Sequence, residues 1–266
     1  MNECWIKVDG LNIRYLESGK GKKKHILFIH GLGSSADGWM KIPDELSSDF
    51  HSIALDLPGF GESDKPENMD YTIDQFRKII ISFLNKIPIQ NEKINLIGHS
   101  LGGYIASEIA IQNQNYIRKL VLIDSSGMLE KPTPILEEYF EAAMNPTQEN
   151  VRKAYEKMFA DPKRILQPMV DRFIRRINMP NAKKAFESTL INSATTQIGL
   201  SRLSKIQSIP TLILWGDHDM AIPLEHSNFF KENINDSRLE IIEDAGHTPF
   251  AEKPDQVCQL LRNFLI

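Results

Sequence analysis

Apolar and polar residues alternate with a period of two in Trp5–Val8 and again in Asn12–Glu17, on either side of Asp9-Gly10. That pattern predicts a β-hairpin closed by a D-G turn. The pattern then becomes continuous. His25–Ile29, Phe50–Asp56, Lys93–Ile97 and Arg118–Asp124 are short apolar runs that read as buried strands. Between them, Trp39–Leu46 reads as a helix interrupted near Pro43. Ile73–Lys86 reads as a helix with Ile73, Phe76, Ile80, Phe83 and Leu84 on one face, and Tyr104–Ala110 as a further helix. Strands alternating with helices imply a mainly parallel sheet covered on both faces, an α/β fold.

The rhythm changes at Gly127. From Met128 to about Leu203 no strand pattern is visible, and six prolines, from Pro132 to Pro180, punctuate four or five short amphipathic segments. Alternation resumes with a strand over Pro210–Trp215, a helix over Leu224–Asn233, a strand over Arg238–Ile242 and a helix over Pro254–Phe264. The middle stretch therefore reads as a helical insertion at 128–203, between core segments 1–127 and 204–266. No internal repeat or low-complexity segment interrupts this plan.

Composition narrows the function classes. The chain has 266 residues, 41% hydrophobic and 25% charged, which suits one large domain with an insertion. A net charge of −4 gives no electrostatic reason for a nucleic-acid partner. The basic run Lys20–Lys24 reads as a solvated hairpin loop. Cys4 and Cys258 are too few and too far apart for a disulfide framework or a zinc site, so free thiols in a cytoplasmic setting are expected. No secretory leader and no transmembrane span are expected from the pattern.

The sharpest chemical signal is Gly98-His99-Ser100-Leu101-Gly102-Gly103, set between a strand and a helix. A G-x-S-x-G there is a nucleophile elbow, whose turn is so tight that the positions two before and two after the serine must be small. A serine hydroxyl needs a base, and a histidine base needs a carboxylate to fix its tautomer. Of seven histidines, His247 is the strongest candidate, because Asp244-Ala245-Gly246-His247-Thr248-Pro249-Phe250 follows the last strand. His30 abuts a glycine loop, His99 points away from its neighbour Ser100, and His51 and His226 read as surface or helix positions. The carboxylate is Asp219 by preference, just past a strand end; Asp124 and Asp217 are the alternatives. For the oxyanion, the backbone N–H groups of Leu101 and of Leu32, in His30-Gly31-Leu32-Gly33, are the expected donors. This chemistry calls for no cofactor and no metal.

Four motifs now coincide: His30-Gly31-Leu32-Gly33-Ser34-Ser35, Asp56-Leu57-Pro58-Gly59-Phe60-Gly61-Glu62-Ser63, the Ser100 elbow and Gly246-His247-Thr248-Pro249. In this order and spacing the chain resembles the α/β-hydrolase superfamily over essentially its full length, including the chain order serine, acid, histidine. The resemblance implies a mostly parallel eight-stranded, doubly wound sheet, with the helical insertion as a cap over the site. It supports Asp219 as the acid, and implies that the Asp56–Ser63 turn is structural.

Ser100 counts against the haloalkane dehalogenase and epoxide hydrolase branches, which use aspartate there. The elbow differs from the Gly-Gly-Ser-Trp-Gly of proline iminopeptidases. C–C bond hydrolases usually carry tryptophan after the histidine, where this chain has Thr248. The segment from Gly246 to Pro254 looks more like esterases, lipases and perhydrolases. A carboxylesterase or lipase-like enzyme acting on a small apolar ester is therefore the expected function. C–C hydrolysis of a ring-cleavage diketo acid and a slow-turnover, hydrolase-like ligand receptor are the alternatives. The insertion's Met128, Phe140, Met158, Phe159, Met169 and Phe173 read mainly as its own core. Arg172, Arg175 and Arg176 read as a solvated face rather than a carboxylate clamp.

Overall fold

The computed structural model describes residues 1–39, 41–89 and 92–266. Its strands are β1 (Asn2–Val8), β2 (Leu11–Ser18), β3 (His25–Ile29), β4 (His51–Leu55), β5 (Ile94–His99), β6 (Ile117–Ile123), β7 (Thr211–Gly216) and β8 (Ser237–Ile242). They form one sheet in the order β1-β2-β4-β3-β5-β6-β7-β8. Strands β3 to β8 pair in parallel, while β2 runs antiparallel to both β1 and β4. Asp9 and Gly10, both at positive φ, turn the β1–β2 hairpin.

Period-two alternation of buried side chains feeds two cores. On β3, Leu27 and Ile29 face one side, whereas Ile26 and Phe28 face the other. The first side packs against α2 (Ile73–Leu84) and α3 (Leu101–Gln112), the second against α1 (Ile42–Glu45) and α11 (Pro254–Leu265). Helix α2 starts where it does because Thr72 and Gln75 form a reciprocal capping box, and its five predicted apolar residues are all buried. Helix α3 is apolar nearly all round because it is buried on every side from Leu101 to Ala110.

Between β6 and β7 the chain is helical: α4 (Pro134–Met144), α5 (Gln148–Met158), α6 (Gln167–Ile177), α7 (Ala182–Ala194) and α8 (Leu200–Leu203). Threonines 133 and 147 cap α4 and α5 by accepting from Leu136 N–H and Asn150 N–H. Two further helices, α9 (His226–Asn233) and α10 (Pro249–Glu252), flank the last strand.

Three local expectations change, and one short helix was not foreseen. Pro43 stands in the first turn of α1, where its missing N–H costs nothing, so it opens that helix instead of interrupting one; a 3₁₀ turn over Ala36–Trp39 precedes it. Met40 lies outside the described residues. The Lys20–Lys24 loop is not a hairpin, since β2 pairs with β4 and not with β3. His51 is neither exposed nor helical: it is buried on β4, with Nε2 3.1 Å from Glu17 and Nδ1 3.3 Å from His25 Nδ1. Helix α10 escapes the pattern because a four-residue helix has too few positions to show a period.

Candidate active site

Every candidate residue sits at the carboxyl end of a parallel strand: His30 and Leu32 after β3, Ser100 after β5, Asp124 after β6, Asp219 after β7 and His247 after β8. Ser100 has φ 53° and ψ −119°, a region that L-residues avoid. Holding it there costs about 1–3 kcal/mol. The surrounding turn over-determines it: its N–H donates to Ile123 O at 3.0 Å, and its carbonyl accepts from Ser126 N–H at 3.1 Å and from Gly103 N–H at 2.9 Å. The glycines are required for close approach. A Cβ on Gly98 would collide with the Gly102 carbonyl, and one on Gly102 with the Ile29 carbonyl. The hydroxyl therefore stands above the sheet, at the amino terminus of α3.

His247 and Asp219 meet directly. His247 Nδ1–H donates to Asp219 Oδ2 at 2.8 Å, and both side chains are almost completely buried. Asp219 Oδ1 accepts from Ala221 N–H at 2.8 Å and Ile222 N–H at 3.0 Å, which fixes the carboxylate plane. With Nδ1 committed, Nε2 of a neutral His247 is the free acceptor. Ser100 and His247 line the same cavity, but no Ser100–His247 hydrogen bond is formed.

Contacts not foreseen from sequence hold the His247 turn. His99 Nε2–H donates to the His247 carbonyl at 2.6 Å, and the two rings are 4.8 Å apart. His247 N–H donates to Met158 O at 2.7 Å. Glu252 accepts from Gly246 N–H at 2.8 Å and from Asp161 N–H at 3.0 Å. Burial pushes the Glu252 carboxyl upward, and these backbone donors oppose that. Glu252 stands inside the histidine motif, so its position was visible in the sequence, but nothing in the pattern revealed what it holds. His99 is fully enclosed, and burial pushes its imidazole well below the usual range, so it stays a neutral donor.

The alternatives to Asp219 fall elsewhere. Asp217 is paired with His218 at 2.6 Å, away from His247. Asp124 is buried beside Asp219, with Oδ1 accepting from Gly216 N–H at 2.9 Å. The N–H groups of Leu32 and Leu101 make no hydrogen bond among the described residues. His30 is spent structurally: Nδ1–H donates to Gly31 O at 2.7 Å and Nε2 accepts from Leu57 N–H at 3.0 Å. The Asp56–Ser63 turn is a buried polar knot, in which Asp56 accepts from Ala36 N–H at 2.6 Å and Glu62 N–H at 2.7 Å.

The cavity over Ser100 holds about 110 Å³. Leu136, Tyr139, Tyr155, Met158, Phe159 and Met169 come from the helical insertion, and Leu32, Phe250 and Ala251 from the core. Among the described residues no charged side chain lines it. Met158, Phe159 and Met169 thus face the cavity, whereas Phe173 packs with Tyr139 and Phe186 as core. The arginines of α6 do not form a simple solvated face. Arg176 donates to Ser35 Oγ and Asp37 at 2.6 Å and to Glu62 at 2.9 Å, and Arg175 also pairs with Glu62. Arg172 forms no ion pair among the described residues, and it borders a smaller cavity that shares Ser34, Tyr155 and Met169 with the first. No helix among the described residues is long and apolar enough to cross a membrane.

Comparison with known proteins agrees with this architecture. Lipase 1 of Psychrobacter immobilis is 29% identical, over 94% of this chain and 79% of its own. The 2-hydroxy-6-oxo-6-(2'-aminophenyl)hexa-2,4-dienoic acid hydrolase of Metapseudomonas resinovorans is 26% identical, over 99% of this chain and 90% of its own. The crystal structure of a serine hydrolase involved in carbazole degradation superposes with a TM-score of 0.86 at 26% identity, covering 99% of this chain and 98% of the other. A family model for the alpha/beta hydrolase fold matches residues 24–254. With that match spanning β3 to β8, the helical insertion and all the candidate residues, the chain belongs to the α/β-hydrolase fold family and is a hydrolase.

Proposed function

We propose that the protein is a serine hydrolase of small, apolar carboxylic esters, with Ser100 as nucleophile, His247 as base and Asp219 as the orienting acid. The observation that carries this reading is the 2.8 Å His247–Asp219 hydrogen bond, which leaves the other imidazole nitrogen free in the cavity that Ser100 shares. His247 takes the Ser100 proton as Oγ attacks the ester carbonyl. The Leu32 and Leu101 N–H groups, otherwise unpaired, receive the oxyanion. His247 then gives its proton to the departing alcohol, and activates water to hydrolyse the acyl-enzyme. Asp219 stabilises the imidazolium in both half-reactions. The helical insertion, 128–203, acts as a cap that supplies most of the acyl pocket.

The pocket supports a neutral substrate. Among the described residues its lining carries no charge, and its 110 Å³ is the room of about four waters, which fits a short acyl chain. One observation favours a second reading. Arg172, which forms no ion pair among the described residues, borders the neighbouring cavity and suits a substrate carboxylate, as a ring-cleavage dienoate would carry, and a relative bears that name.

The test is turnover of p-nitrophenyl acetate and butyrate beside a chromophoric dienoate. Wild type should hydrolyse the esters faster, and Ser100→Ala should lose at least about a thousandfold in kcat. A fluorophosphonate probe should label Ser100 alone. Faster turnover of the dienoate, with Arg172→Gln raising its KM only, would establish the second reading instead. Unchanged turnover in Ser100→Ala would remove Ser100 from the chemistry.

A further inference from the structure

Asp124 has no role in the sequence reading beyond that of a displaced alternative acid, yet the structure places it where a carboxylate is hard to keep. It directly follows β6, at φ 43°, and is wholly buried. Its Oδ1 accepts one backbone N–H, and its Oδ2 is buried with no partner. A carboxyl oxygen of Asp124, one of Asp219 and a ring nitrogen of His247 all lie within 4.8 Å of one another.

Two adjacent buried anions would need two compensating charges. Among the described residues no lysine or arginine bonds to either carboxyl, and the only basic partner is His247, on Asp219. The other acid facing the pair is Glu252, which adds to the repulsion. One carboxyl must therefore carry a proton. Asp219 accepts three N–H donors and Asp124 only one, so the anion belongs on Asp219 and the proton on Asp124. Burial first, and the Asp219 charge second, push the Asp124 carboxyl well above the usual range, in the same direction. A divalent cation fits the arrangement less well. Asp219 Oδ2 and His247 Nδ1 are already spent on each other, and a metal would have to part them.

We propose that Asp124 is held as a neutral carboxylic acid whose Oδ2–H donates to the Asp219 carboxylate, making it a positioning residue for His247. A neutral acid supplies Asp219 with a further donor and leaves His247 beside one negative charge. If both carboxyls were ionised, they would trap the imidazole as its cation, which cannot accept the Ser100 proton. This role rests on the Ser100–His247–Asp219 reading above.

The experiment that tests it is infrared spectroscopy of the full chain carrying ¹³C in the aspartate side-chain carboxyls, at neutral pH. One isotope-shifted protonated-acid carbonyl band is expected in wild type, and it should vanish in Asp124→Asn. The aspartate label keeps a protonated Glu252 out of the signal. In kinetics with p-nitrophenyl butyrate, Asp124→Ala should lower kcat about tenfold with KM unchanged, since a hydrogen bond to a charged group is lost. Asp124→Asn, whose amide can donate in the same direction, should recover most of that loss.

Absence of the band in wild type overturns the proposal even if no variant folds. So does an Asp124→Asn enzyme as impaired as Asp124→Ala. Loss of activity to a chelator, with recovery on adding zinc or manganese, would put a cation where the proton is proposed. An enzyme whose turnover ignores Ser100 would instead sink the underlying reading, leaving the band to report on Asp124 alone.

Discussion

The backbone N–H of His247 donates to the carbonyl of Met158 at 2.7 Å, joining the turn after β8 to the carboxyl end of α5 in the helical insertion. Glu252, at the end of α10, reinforces this joint by accepting from Gly246 on one side and Asp161 on the other. The turn that aims the proposed base is thus built partly from insertion backbone. Any lifting of that segment as a rigid body would have to break these bonds.

Glu252→Ala should therefore impair both stability and turnover. It leaves one buried and one part-buried N–H group without their acceptor, at a cost of about 1–3 kcal/mol. Thermal unfolding should shift downward, and kcat for p-nitrophenyl butyrate should fall further than KM changes. An unaltered kcat in a destabilised protein would show that Glu252 holds the fold without aiming His247.

The pairing of α6 with the core predicts a pH window. Hydrogen bonds from Arg175 and then Arg176 outweigh burial and lower Glu62 from its ordinary 4.5 to about 2. In Asp37, burial works upward, but Arg14 and Arg176 hold the group below the usual carboxylate range. An acid depressed in the folded state contributes stability above its unfolded pKa, and that contribution is lost as pH falls through the folded value. Glu62→Gln should thus lower the unfolding temperature at pH 7. The gap to wild type should narrow from about pH 4.5 and nearly close by pH 2. A constant gap across that range would assign the effect to packing.

Gly98→Ala and Gly102→Ala should each disrupt the Ser100 turn, because the added carbon meets backbone carbonyls that cannot rotate away. Strain of several kcal/mol is expected, on the order of the overpacking limit or above. Low soluble yield, or a folded protein that the fluorophosphonate probe no longer labels, would bear this out. Normal labelling of either variant would show that the turn is looser than described.

Chain-length preference should follow the insertion side chains. Phe159→Ala or Leu136→Ala enlarges the cavity on the side away from the sheet. The preferred p-nitrophenyl ester should then lengthen from acetate or butyrate toward hexanoate or octanoate. An unchanged profile in both variants would place the acyl chain elsewhere.

Much of this was legible in the sequence because it is local. Period-two runs and apolar stretches mark β1 to β8, and α2 shows its buried face directly. The elbow announces itself through Gly98 and Gly102, since only glycine permits that approach. Ser100, Asp219 and His247 could be singled out because each follows a predicted strand, and the structure sets all three at the carboxyl ends of parallel strands. Misreadings came where pairing or burial is set by distant residues. The partner of β2 is β4, so the intervening loop is no hairpin, and His51 is buried by β2 and β3, not by anything in its own segment.

By itself, then, the sequence determined the alternating framework, the helical interruption between β6 and β7, and the residue types available at each strand end. Those follow from backbone sterics and from the period of the buried face, which neighbouring residues settle among themselves. Only the tertiary structure decided that Arg175 and Arg176 fasten α6 to Asp37 and Glu62, that Met158 and Glu252 hold the His247 turn, and that Asp124 is buried beside Asp219. Apart from the Gly246–Glu252 bond inside the turn, these contacts join groups about 90 to 140 positions apart, and their energies depend on burial, which no local pattern encodes.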